Sequence, residues 1–495
     1  MSHRYPGRFT TGLRARLLHS MLLPAVGLAA TLALSGCGDS DDDDDPVNQG
    51  SIRILHTSPD APPVNIKLDG TVAISDLDYT ESSGYVSVDA GTYDIAVDGI
   101  IPGGNLEVIS VPGFTVAAND RTTVIAADVV ASITPLVVSD SNATPAADEV
   151  ALRVVHASPA AAAIVAAVDV YVTSPGDNIN AASPSLSFAF KEDVDAGALP
   201  AGLVQIRATA KGSKEVVFDS GPVDLTPFAG SKLLIAAIDT TNATEQAGSP
   251  VKLLVATDTA RVILLDVGTN AGARVVHVSP DADAVAGPVE VFASSAALPV
   301  SPFELIDAFS YLGVVPGVDT LAGVPGGDYV FDVAPDTDMI GDSVFTSDSV
   351  TLMQGSEYTV VAAGRVAGMP AFNLLFTEEN LRPVATQASV KVIHAAPAAG
   401  TVQVYVTPAG AFTVMDVESG MAGDPLLPAF AFADITGDVP VAPANYDIRV
   451  VAGGVVAINV ENFNLAAGSV STLIAYGPNE PAGAPTDFGV IVLTN

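Results

Sequence analysis

A motif built around histidine occurs four times in this chain of 495 residues, at intervals close to the size of an ordinary domain. The copies read SIRILHTSPDAPP from Ser51, ALRVVHASPA from Ala151, GARVVHVSPDADA from Gly272 and SVKVIHAAPAAG from Ser389. Each places a cation and two aliphatic residues before the histidine, and Ser-Pro or Ala-Pro shortly after it. The histidines, His56, His156, His277 and His394, lie 100, 121 and 117 residues apart, and 101 residues follow the last. A repeat of about 110 residues can bury a core of its own and is too long for a solenoid unit.

Other signals recur in the same order. An alternating strand follows each histidine: VNIKLDG (64–70), VDVYVTSPG (168–176), VEVFASS (289–295) and VQVYVTPAG (402–410). A turn then leads into a second strand, AGTYDIAVDG (90–99), AGLVQIRAT (201–209), GGDYVFDVA (326–334) or PANYDIRVVAGG (443–454), with Val204 where the others have Tyr. In it Tyr93, Ile95 and Val97 share one face, as do Tyr446, Ile448 and Val450, opposite Asp447 and Arg449. Next come FTVAANDRTTVIAADV (114–129), VDLTPFAGSKLLIAAID (223–239), VTLMQGSEYTVVAAG (350–364) and FNLAAGSVSTLIAYG (463–477), each reading as strand, tight turn, strand. The 43 Gly and 35 Pro suit many short strands and exclude a helical bundle. The expected fold class is all-β: four tandem antiparallel β-sandwich modules, immunoglobulin-like or transthyretin-like, over residues 51–148, 149–268, 269–387 and 388–495.

The motif start, the Val-x-Val-Tyr-Val strand and the Ala-Gly-x-Tyr-x-Ile strand resemble a bacterial family known as domain of unknown function 4397. The likeness covers most of residues 51–495. It implies a secreted or envelope protein with the domain in tandem, and it carries over no activity, catalytic residue or ligand. The fourth copy departs from the pattern with Ala396 for Ser, and the second has Ala160 where two others have Asp60 and Asp281.

The N-terminus predicts an address. Four Arg (Arg4, Arg8, Arg14, Arg16) precede the uncharged run MLLPAVGLAATLAL (21–34), which has the length of a signal-peptide core. The run ends in LSGC, and Cys37 is the chain's single cysteine. This order resembles a bacterial lipobox, implying a signal peptide over 1–36 and lipid attachment at Cys37. Gly38 after the cysteine favours the outer membrane of the cell envelope. GDSDDDDDPVNQG completes a tether over 37–50, its five consecutive Asp repelling one another. Without the leader, 16 cations face 56 acids, a net charge of −40, which disfavours nucleic acid and anionic membrane as partners.

In an extended strand His56 shares a face with Ile52 and Ile54, while Arg53 and Leu55 lie opposite. The cation marks its own face as outward or semi-exposed. The histidine therefore points toward the core, as a neutral ring tying the strand end to loop backbone, and His156, His277 and His394 repeat the arrangement. His56, Ser58 and Asp60 look like a compressed catalytic triad, but two copies lack members and no nucleophile elbow is present. One histidine per module makes no metal site. Calcium is conceivable at DVDAG (193–197) or DTDMIGD (336–342), though neither has the full twelve-residue loop. No cofactor and no enzyme activity are expected. The sequence predicts a lipid-anchored spacer or binding module facing a protein or glycan, with calcium-assisted self-assembly and carboxylate-based glycan processing as alternatives.

Overall fold

The computed structural model describes residues 48–140, 144–337, 339–478 and 487–494. The expected signal peptide and Cys37 lie outside the described residues. The first module sets the plan with β1 (Gln49–His56), β2 (Val64–Leu68), β3 (Thr71–Leu77), β4 (Val86–Asp89), β5 (Gly91–Ile101), β6 (Gly104–Val116), β7 (Arg121–Ala127) and β8 (Thr134–Asp140). They form two four-stranded sheets, ordered β4-β1-β7-β8 and β3-β2-β5-β6. Alternate residues turn inward, so Ile52, Ile54, Val64, Ile66, Ile95, Val97 and Val124 meet between the sheets. Each such side chain contributes about 1.5–3 kcal/mol by leaving water. Three further pairs of sheets follow along the chain, and the fold is all-β, as the sequence pattern predicts.

The segments expected as strand, tight turn, strand carry the chain between sheets. β6 belongs to one sheet and β7 to the other, where β7 runs parallel to β1. A tight hairpin joins only antiparallel neighbours, so the turn serves as a crossover. It passes through a left-handed residue two places before each inner strand: Asn119 (φ 59°), Gly230 (φ 76°), Gly355 (φ 79°) and Gly468 (φ 78°). Asn and Gly tolerate that backbone best. The parallel register is the same in every module: His56 faces Ala126, His156 Ala237, His277 Ala362 and His394 Ala475. A small residue beside each histidine leaves room for the ring.

The expected outward face of the first strand is buried, which corrects the sequence reading. Leu55 and Ile125 pack against Val155, Leu234 and Leu254, so the histidine-bearing sheets of the first two modules lie face to face. Val276, Val361 and Leu375 meet Ile393, Ile474 and Leu493 in the same way between the third and fourth modules. Arg53, Arg274 and Lys391 are consequently buried and Arg153 half-buried. The sequence signal was the adjacent aliphatic pair in each motif, Ile54-Leu55, Val154-Val155, Val275-Val276 and Val392-Ile393. Such a pair puts apolar surface on both faces of one strand, the pattern of a sheet covered on both sides.

In the second module β9 (Glu149–His156) is followed by α1 (Pro159–Ile164), then β10 (Ala167–Thr173), β11 (Leu186–Ala189), β12 (Asp193–Pro200), β13 (Leu203–Ala210), β14 (Val216–Asp224) and β15 (Lys232–Asp239). Ser158 caps α1 by accepting from the Ala161 amide at 3.1 Å, with Pro159 at the first helical position. A shorter helix, Ala282–Val285, stands at the same place in the third module. The first and fourth modules have PDAPP and PAAGTV there, where Pro and Gly prevent a helix. Asp447 and Arg449 are buried, on the sheet face where the helix Val414–Glu418 seats Val417 against Tyr405 and Val451. No helix among the described residues is long and apolar enough to cross a membrane.

Candidate functional site: four buried histidines and the module boundaries

Each motif histidine ends its strand inside the sandwich and is at most 2% exposed. Aromatic rings flank them: Tyr79 at 6.3 Å from His56, Phe190 at 5.6 Å from His156, Phe309 at 5.4 Å from His277 and Phe430 at 6.1 Å from His394. Burial disfavours the imidazolium and lowers the pKa of His56, His156 and His277 to about 4 each. His394 is lowered for the same reason. The rings are therefore neutral at physiological pH.

Their hydrogen bonds select one tautomer. His394 Nδ1 accepts from the Ala396 amide at 3.3 Å, and its Nε2–H donates to the Gly400 carbonyl at 2.8 Å. His56 Nε2–H donates to the Pro62 carbonyl at 3.1 Å. His156 and His277 accept at Nδ1 from the Ser158 and Ser279 amides, both at 3.3 Å, which leaves the proton on Nε2. In these two, Nε2 is buried and meets no acceptor among the described residues. The physical difference is the helix. Pro62 and Gly400 stand six residues after their histidines in open loops, whereas Ala162 and Asp283, at the same separation, lie within helices.

The serines and aspartates of the motif serve the loops. Asp60 accepts from the Val130 amide at 2.7 Å, and Asp281 from the Val366 and Ala367 amides at 2.8 and 2.9 Å. In the second module, where Ala160 replaces the acid, Asp239 at the end of β15 accepts from the Ala160 amide at 3.1 Å and also from the Ser158 hydroxyl. Burial raises the Asp239 carboxyl to about 6. His156 contacts the Ser158 backbone and not its hydroxyl, so the Ser–His hydrogen bond of a triad is not made.

Several cations lie at the boundaries between modules. Tyr85 lies between Arg53 and Arg121, whose guanidinium carbons stand 4.5 and 4.1 Å from its ring centre, and its hydroxyl donates to Asp140. Arg53 also donates to the Thr257 carbonyl of the second module at 2.8 Å. A cleft of about 310 Å³ opens here, lined by Arg53, Arg121, Arg153 and Lys232 together with Asp140, Asp195 and Asp258. Four cations meeting there is unusual in a chain with only 20. Between the third and fourth modules, Lys391 pairs with Glu379 at 3.0 Å, and the Thr472 hydroxyl donates to the same carboxylate at 3.1 Å.

At the calcium candidates, Asp193 pairs with Arg153 and Asp195 accepts from the Gly197 amide at 2.8 Å. Asp338 lies outside the described residues. Asp336 comes within 4.8 Å of Glu290 and Asp307, a convergence that spacing along the chain did not reveal. Three ligand atoms supply at most half of the six to eight oxygens that calcium takes.

The family model described as Domain of unknown function (DUF4397) matches residues 50–167 and 271–405, together more than half of the chain. Each match covers a whole module and runs on through the histidine strand of the next, its partner across the boundary. Among solved structures, the Bacillus anthracis TIE protein matches with 9% identity and a TM-score of 0.14, over 87% of this chain and 68% of that one. A streptococcal ancillary pilin matches with 11% identity and a TM-score of 0.13, over 67% and 99%. No curated protein matches the chain.

Proposed function

We propose, from the premise that the chain belongs to the DUF4397 family, that it is a non-catalytic cell-envelope protein held to the outer membrane through a lipid on Cys37. Its modules act as a spacer or binding unit toward a protein or glycan. The observation that carries this reading is the employment of the motif. Its histidines are buried and neutral, and Asp60, Asp281 and Asp239 are occupied by backbone amides, so the feature most like an active site is spent on structure. The lipobox-like LSGC and the acidic tether support the anchoring.

Metabolic labelling with palmitate, combined with fractionation of the envelope, tests the anchor. Label should enter the wild-type chain and be lost in Cys37→Ser, which should leave the membrane fraction. Protease treatment of intact cells, followed by cross-linking, would identify exposure and partner. A hydrolase or transferase activity abolished by a point change in one module would overturn the reading.

A further inference from the structure

The chain sorts its oxidisable side chains by depth. It has no Trp, and its single cysteine is Cys37, the expected point of lipid attachment. Beyond residues 1–36 it carries five methionines, Met339, Met353, Met369, Met415 and Met421, all in the third and fourth modules. Methionine is among the residues most often found in cores, where its flexible thioether fills gaps. Here each one is on the surface, at 55%, 45%, 79%, 73% and 63% exposed, and the buried apolar side chains among the described residues include none. The four motif histidines, whose imidazoles also react with strong oxidants, are at most 2% exposed.

Each thioether stands where oxidation costs the fold little. Met339 precedes the turn Ile340–Asp342, Met353 follows the strand Val350–Leu352, and Met369 lies in the loop between the strands Glu357–Ala363 and Asn373–Glu379. Met415 belongs to the helix Val414–Glu418 and Met421 follows it, while Val417 makes the inward contact of that helix. Oxygen turns the apolar sulfur into a polar sulfoxide, which disrupts a core. At these five sites the new dipole meets water, so no desolvation cost arises. An exposed sulfur also reacts without any opening of the structure, whereas a buried ring waits for local unfolding.

We propose that the third and fourth modules act as a reversible sink for two-electron oxidants of the hypochlorous acid class, a role separate from spacing or binding. A sulfur lone pair attacks the chlorine of hypochlorous acid and displaces hydroxide. Water then displaces chloride from the chlorosulfonium, and loss of two protons leaves the sulfoxide. Sulfur gives up two electrons and chlorine takes them, so one hypochlorous acid yields one sulfoxide, one chloride and, net, one proton. A methionine sulfoxide reductase reverses the change, with two thiols becoming a disulfide and the oxygen leaving as water. The five exposed sulfurs consume about five equivalents of oxidant before the buried histidines are reached.

Titration of the purified full chain with hypochlorous acid tests this, read by peptide mass mapping and by the thermal midpoint. Met339, Met353, Met369, Met415 and Met421 should each gain one oxygen, about 16 Da, before any Tyr, Lys or His is modified. The midpoint should hold until all five are oxidised, and methionine sulfoxide reductases with dithiothreitol should restore the original masses. A variant with Leu at all five positions should match the untreated midpoint of the wild type, because the sites are exposed. Under the oxidant it should lose its midpoint at a dose lower by about five equivalents. The proposal is overturned if the midpoint falls with the first sulfoxides, if Tyr or Lys is modified ahead of the methionines, or if the Leu variant withstands the same dose as the wild type.

Discussion

The Arg382 guanidinium donates to the carbonyl oxygen of Ala61 at 2.7 Å, although 321 residues separate the two. Arg382 lies between the last strand of the third module and the first of the fourth, and Ala61 lies in the motif loop of the first. The same guanidinium pairs with Asp78 at 2.5 Å and sits 5.5 Å from the ring centre of Tyr79. Tyr79 in turn donates to the Asp239 carbonyl of the second module at 2.5 Å. The modules are thus latched across long stretches of sequence.

Arg382→Ala should weaken this latch. It leaves the Pro59 and Ala61 carbonyls without their charged donor, a loss of about 1–3 kcal/mol. Amide hydrogen exchange at Asp60 and Ala61 should accelerate while the core of the third module keeps its protection. Unchanged exchange would mean that the contact contributes nothing.

His56→Gln should cost about 1–3 kcal/mol at pH 7, because a buried ring and its bond to Pro62 are lost. The cost should shrink as pH falls. The folded ring titrates near 4, and an unfolded one near 6.5. The unfolded state therefore binds more protons between those values, and wild-type stability from this group is lost as pH drops through the window. Urea titrations of both proteins at pH 7 and pH 4.5 read the difference; a constant gap would refute the neutral-ring account.

Leu55→Glu places a charge in the apolar seam between the first two modules, where Leu55 is fully buried. Unpairing of the modules should follow, at a cost of several kcal/mol. Calorimetry should show the single transition of the pair separating into two, with far-ultraviolet circular dichroism retained.

Lys391→Met should destabilise the chain by about 3–5 kcal/mol, since it strands the buried Glu379 carboxylate. Lys391→Met with Glu379→Leu should recover most of that loss, because an apolar pair of similar volume needs no compensation. Chemical denaturation of the two single variants and the double variant closes the cycle, and a double variant no better than the single one would contradict it.

Much of each module was legible in the sequence. Tyr93-Ile95-Val97 and Ile448-Val450 read as alternating core strands because period two is a local property of extended chain. The His-to-Pro spacing placed the strand ends, and β1, β9 and the strands Ala271–His277 and Ala388–His394 all end on their histidines. The helix after the motif was also encoded, as PAAAAI against PDAPP, yet its consequence for His156 Nε2 needed the geometry of a carbonyl six residues away.

By itself, the sequence determined an all-β class and the core-facing sides of the histidine and tyrosine strands, because alternation and turn residues act over a few neighbouring positions. Only the tertiary structure decided that Arg53, Arg274 and Lys391 are buried and that Asp336 meets Glu290 and Asp307. Alternation says which residues leave the core. Whether the face they form meets water or another module depends on surfaces that lie a hundred or more residues away, and on the fit that excludes water between them.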